Sequence, residues 1–344
     1  MRLIHLADLH LGWRPSGWPE ERASERRRRR DAVLERAVDV ALAEGADLAI
    51  VAGDLFDVYR RRRDSWPGML VTEPAPAHLA TLELGGETVH LYGMAYTGGV
   101  TAADLPVRDF PRLERSGVHI AVFHGVLGVA ASGTRTLSLD EEGLAAARYH
   151  YVALGSLHDP LQHRFPAGPA VYPGSPEAMG FADGGSGAVT VAAWDGERMD
   201  VQGVPVPVQP VRDTVLDLTP VDDIAEVDTF IAARADPEAV QRVRLAGALW
   251  LPEVDAAALE DRHGEAFFHL EVRDEVSGLA PELLERWGQE ASVRGAFVAR
   301  MLARIDHAGE SAHRRLARSL RWGIAALSDG PSPGGERAPV GSVA

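Results

Sequence analysis

The chain has 344 residues, with 46 % hydrophobic and 25 % charged residues. That is enough for about two domains, each with a core of its own. It has no cysteine and a net charge of −15, all 35 basic residues being arginine. Disulfides, thiolate metal sites, iron–sulfur clusters and cysteine nucleophiles are thereby excluded, and any contact with nucleic acid has to be local rather than through bulk charge. No apolar run approaches a membrane span, and Asp8 comes too early for a secretory leader, so the expected compartment is the cytoplasm.

Leu3–Ala7 reads as a buried strand ending in Asp8-Leu9-His10. Pro19–Glu44 reads as one helix closed by Gly45, with Val33, Leu34, Ala37, Val40 and Ala41 at helical spacing. Leu48–Ala52 is a second strand, followed at once by Gly53-Asp54-Leu55-Phe56-Asp57. That beginning predicts an α/β fold with an open sheet. Thr88–Met94, Val118–Phe123, Tyr151–Leu154, Ala170–Tyr172 and Ala188–Trp194 read as further strands. The Pro-rich Val204–Pro210 marks a boundary. Beyond it, strands at Thr214–Leu218, Val240–Leu245 and Ala266–Val272 and helices at Val221–Ala233 and Asp255–His263 make a small α+β module. Ala291–Leu327 reads as helical with a break near His307-Ala308-Gly309, and its apolar face fits its own domain or a partner helix. The division expected is residues 1–205, 210–290, 291–328 and a disordered tail 329–344.

The chemistry lies at strand ends. Asp8 and His10 follow the first strand, Asp54 the second, His124 a middle one and His158 a later one. Loops at the carboxyl ends of strands converge on one crevice. Carboxylates with imidazoles and no thiolate suit Mn, Fe or Zn, and a carboxylate between two cations is a way to build a phosphoester-cleaving centre. His5, His78, His90, His119, His150, His263 and His269 lie off this pattern and read as structural. Arg26–Arg30 and Arg60–Arg63 read as solvated runs or phosphate contacts. Trp13 and Trp18 read as loop packing or base-stacking groups.

The strings Ile4-His5-Leu6-Ala7-Asp8-Leu9-His10-Leu11-Gly12, Ala52-Gly53-Asp54-Leu55-Phe56-Asp57, Phe123-His124-Gly125, Tyr151-Val152-Ala153-Leu154-Gly155 with His158, and Tyr172-Pro173-Gly174-Ser175-Pro176 resemble the calcineurin-like metallophosphoesterases. Among them the chain is similar to SbcD-type DNA repair exonucleases over about residues 1–210. The resemblance implies a β-sandwich flanked by helices, a capping α+β domain and C-terminal helices. It implies one metal held by Asp8, His10 and His158, another by His124, and Asp54 between them. It also implies Mn2+, cleavage of DNA phosphodiesters in double-strand break repair, an SbcC-type ATPase partner docked on the C-terminal helices, and a homodimer.

Two departures stand out. The family's Gly-Asn-His motif is absent, since the chain has no asparagine and leaves no room for an α/β unit between Tyr59 and Trp66. Ser156 stands where the family has a metal-binding histidine. One adequate and one weak metal position are therefore expected, and no catalytic histidine is assigned. Two rivals remain: a phosphodiesterase acting on small nucleotides or phosphoproteins, and a scaffold that binds DNA or a partner without cutting.

Overall fold

In a computed structural model the chain divides into two compact units, Met1–Val211 and Arg212–Ala344. The structure describes residues 1–57, 68–95, 107–128, 136–183, 185–221, 223–249, 254–276 and 278–328. The stretch Tyr59–Trp66 with its arginine run, and the tail from residue 329, lie outside the described residues.

The fold is mixed α/β. In the first unit, β1 (Arg2–Leu6) lies between β2 (Leu48–Val51) and β11 (Ala188–Trp194), which pairs in turn with β12 (Met199–Pro205). The β1–β2 pair is parallel and the β1–β11 pair antiparallel. A second sheet has the order β3 (Ala77–Leu84), β4 (Glu87–Gly93), β5 (Val118–His124), β8 (Tyr151–Gly155), β10 (Pro169–Tyr172), β9 (Leu161–Arg164). A single open parallel sheet is therefore not what forms: the early β-α-β signal belongs to one half of a two-sheet sandwich.

Strand alternation explains the layers. Leu3, Ala7, Ile50 and Ala52 pack against Val89, Ile120, Tyr151 and Ala153 between the sheets. Alternate residues Ile4 and Leu6, with Val189 and Val191, pack against Val33 and Ala37. Residues of opposite parity on the second sheet, such as Ala121, Phe123 and Val152, pack with Leu144 of α3 (Glu141–Ala146). Period-two alternation thus gives each sheet two buried faces. The predicted single helix is two, α1 (Glu20–Asp31) and α2 (Val33–Glu44), meeting at Ala32. Arg26 and Arg30, read from sequence as solvated or phosphate-facing, are 2 % and 1 % exposed. Arg26 donates to Glu177, Gln209 and the Ala178 carbonyl, and Arg36 also reaches Glu177. Of these two inward arginines four residues apart, Arg26 ties α1 to the segment after β10 and Arg30 ties it to the loop after β1, through the His10 carbonyl.

The second unit begins with β13 (Val211–Asp217), which pairs with β14 (Asp236–Ala246), itself parallel to β16 (Phe267–Asp274). Its helices are α4 (Ile224–Ala232), α5 (Ala256–His263), α6 (Pro281–Gly288), α7 (Val293–Asp306) and α8 (Glu310–Ser328). Val298, Met301, Ile305, Leu320 and Ile324 share one core with Val243, Leu245 and Phe267. The apolar stripe of the C-terminal helices is therefore spent within this unit. Among the described residues no helix is long and apolar enough to cross a membrane.

Candidate metal centre

The two sheets meet at the carboxyl ends of β1, β2, β5 and β8. The loop after β1 and the loop after β2 run side by side: the His10 N–H donates to the Asp54 carbonyl (2.8 Å), Leu11 to Leu55 (2.8 Å) and Asp57 back to Leu11 (3.1 Å). The second sheet approaches closely because two residues lack a Cβ. At Gly155 a Cβ would lie 1.8 Å from the Ala52 carbonyl oxygen, and at Gly53 it would lie 2.3 Å from His124 Nδ1.

Asp8, His10 and His158 bring ligand-type atoms within 4.8 Å of one another, and so do Asp8, Asp54 and His124. Asp8 is common to both groups. Asp54 Oδ2 lies 3.7 Å from His10 Nε2 and 3.5 Å from His124 Nε2, so its carboxylate also stands between the two. All five residues predicted from strand ends thus converge. Ser156 joins them differently: its backbone N–H donates to both Asp8 carboxylate oxygens, at 2.9 and 3.2 Å.

Backbone strain is concentrated here. Among the described residues the non-glycine positions with positive φ are Asp8, His10, Asp54, Ser156 and Arg148, and only the last lies away from this cluster. Such conformations cost about 1–3 kcal/mol each and persist where surroundings over-determine them. The surroundings are visible: Ser175 Oγ contacts the Asp8 carbonyl at 2.9 Å, and Arg30 Nη1 donates to the His10 carbonyl at 3.0 Å.

Ring orientation is fixed as well. His124 Nδ1 lies 2.9 Å from the Ala52 carbonyl, which only accepts, so Nδ1 carries the proton and Nε2 presents a lone pair toward Asp54. His158 Nδ1 lies 2.7 Å from Asp183 Oδ2, which turns Nε2 toward Asp8 at 4.0 Å. His10 Nε2 is buried without a hydrogen-bond partner. A buried imidazole nitrogen that makes no hydrogen bond, 3.7 Å from the Asp54 carboxylate, is costly unless a cation takes it.

The electrostatics agree. Burial pushes the Asp8 carboxyl up to about 6; Asp54 adds to this, while His124, His158 and the Ser156 N–H oppose it. Burial lowers His10. The Asp183 hydrogen bond raises His158. Asp183 itself lies below its ordinary value: burial acts to raise it, but His158 and the Met179 and Gly185 N–H groups outweigh that. A divalent cation would relieve the burial penalty on Asp8 and occupy His10 Nε2, so the residues present fit a borderline metal.

Sequence reading missed Asp183 and Glu177, and read Arg30 as solvated or phosphate-facing; Asp183, Ser175 and Arg30 hold the ligands rather than supply them, and Glu177 holds Arg26 and Arg36. Trp13 lies under Arg30, whose guanidinium carbon is 5.3 Å from the ring centroid. His163 lies on the edge strand β9, 4.0 Å from Glu141. His5 bonds the Tyr151 hydroxyl in the core. No protein-family model matches the chain, and no curated protein matches it.

Proposed function

We propose that the chain is a manganese-dependent phosphodiesterase of the calcineurin-like metallophosphoesterase type, cutting DNA. One observation supports this above the others: four strand ends from two sheets deliver Asp8, His10, Asp54, His124 and His158 to one place, with His10 Nε2 buried and without a hydrogen bond. The layering of helix, sheet, sheet and helix supports the β-sandwich of that family. Cations held there supply Lewis-acid activation of water and stabilisation of phosphate charge.

The chain's own residues prepare the site. Asp8 and Asp54 provide negative charge, and the Ser156 N–H keeps the Asp8 carboxylate in place. Ala52 and Asp183 fix the tautomers of His124 and His158. The position between Asp8, His10 and His158 is well furnished. The position among Asp8, Asp54 and His124 has one imidazole rather than two, because Ser156 turns its backbone inward where a second would serve.

DNA is named on the strength of the Ile4–Gly12 and Tyr172–Pro176 strings. An SbcC-type ATPase partner would have to dock outside the buried stripe of α7 and α8, for example at Trp322, which is 56 % exposed. The test is hydrolysis of a labelled linear duplex and of bis(p-nitrophenyl) phosphate, each with manganese and with chelator. Cleavage of the duplex that chelator stops, and that Asp8→Asn abolishes, supports the proposal. Turnover of the small diester alone favours the small-substrate rival, and binding of duplex without cleavage favours the scaffold.

A further inference from the structure

Asp183 has no ligand atom in either metal-binding group. It is nevertheless built into the site with more care than a surface carboxylate needs. Oδ2 lies 2.7 Å from His158 Nδ1 and accepts from the Met179 N–H at 3.2 Å, while Oδ1 accepts from the Gly185 N–H at 3.2 Å. Both oxygens are therefore anchored. The other end of the pair is anchored too, since the Ser175 N–H donates to the His158 carbonyl at 2.9 Å.

The stretch that leads to Asp183, residues 175–183, reaches a second ligand. Ser175 is fully buried, and its hydroxyl contacts the Asp8 carbonyl at 2.9 Å. Glu177 in this segment is gripped by Arg26 and Arg36. One short stretch thus fixes the backbone of Asp8 and the ring of His158.

We infer that Asp183 is a positioning residue for metal capture, holding the His158 ring with Nε2 toward Asp8 and His10 so that the triad is assembled before the cation arrives. The inference rests on the metal-site reading above. The physical reason is general: an imidazole whose second nitrogen donates to a carboxylate has a fixed tautomer, a fixed plane and a more basic ligand nitrogen. Removing such a partner costs about 10–100-fold in metal affinity. Asp183 is proposed neither to touch substrate nor to exchange a proton with it.

The test is calorimetric titration of the full chain with Mn2+ alone, for wild type, Asp183→Ala and Asp183→Asn. A second readout comes from nitrogen couplings of the bound manganese in electron spin echo spectra. Asp183→Ala is expected to weaken the tight manganese about 10–100-fold and to lose one imidazole coupling, beside a modest fall in the metal-free melting temperature from the lost Met179 and Gly185 N–H bonds. Asp183→Asn keeps an acceptor but no charge, so it is expected to fall between. It also decides the matter if the alanine variant does not fold.

Affinity and couplings like wild type in a folded variant would overturn the inference and leave the phosphodiesterase proposal standing. A drop in metal-free stability with affinity unchanged would assign Asp183 a purely structural role and overturn it equally. A wild-type chain that takes up no manganese would overturn both.

Discussion

Gly53→Ala is a sharp perturbation of this site, because the structure says what the added methyl meets. Gly53 has φ +88°, and its Cβ would lie 2.3, 2.5 and 2.7 Å from Nδ1, Cγ and Cβ of His124. Ordinary carbon contacts lie near 3.5–4.0 Å, so the ring has to retreat by about 1 Å. Retreat breaks the 2.9 Å bond from Nδ1 to the Ala52 carbonyl and swings Nε2 away from Asp54. A misplacement of about 1 Å costs on the order of 100-fold in rate. The left-handed backbone adds about 1–3 kcal/mol of strain; each kcal/mol lowers the melting temperature of a unit this size by about 2–4 °C. The assay is kcat/KM on duplex DNA with manganese, beside a thermal melt, for Gly53→Ala, His124→Ala and the double variant. The two single losses are expected to be similar and not to add, since both remove the same ligand. A folded Gly53→Ala enzyme with wild-type kcat/KM would refute the placement of His124.

Further outcomes follow from the same contacts. Gly155→Ala would place its Cβ 1.8 Å from a backbone oxygen that cannot move aside, so it is expected not to accumulate as folded protein, read by soluble yield and circular dichroism. Arg26→Met leaves Glu177 buried with the half-exposed Arg36 as its only ion-pair partner among the described residues, beside the Gln209 N–H, and is expected to cost about 3–5 kcal/mol in urea unfolding. His5 and His119 are buried with pKa values lowered to about 3 and about 4, chiefly by burial. Below about pH 6.5 the unfolded chain binds the protons these rings refuse, so stability is expected to fall from pH 6.5 toward 4. His119→Gln should flatten that slope in melts recorded across the range.

The site was legible to the extent that residue type and order encode it. Asp8, His10, Asp54, His124 and His158 each follow an apolar strand, and strand ends converge whatever the sheet order. Support was less visible. The Asp183–His158 bond spans a separation of 25 residues, across two strands and an irregular stretch in which no periodicity marks Asp183. Arg26 and Arg30 sit in an arginine run, and only what they meet across the fold, the Glu177 carboxylate for Arg26 and the His10 carbonyl for Arg30, tells them from solvated neighbours. The helix break at Ala32 has no proline or glycine to announce it. The half-buried edge strand β3 and the terminal strand β12 lacked the apolar density that exposed the central strands, and were not foreseen. Sheet pairing depends on contacts far apart in sequence: β1 meets β11, a neighbour that no local pattern names.

The measurement closest to the central claim is manganese-dependent cleavage of a labelled linear duplex by wild type, Asp54→Ala and Asp159→Ala side by side. Asp54 stands between His10 and His124, whereas Asp159 is exposed and outside both metal-binding groups. Cleavage is expected from wild type and Asp159→Ala, and none from Asp54→Ala. Equal cleavage by all three would place the chemistry elsewhere, and no cleavage by a folded, manganese-loaded wild type would contradict the assignment of this site to phosphodiester hydrolysis.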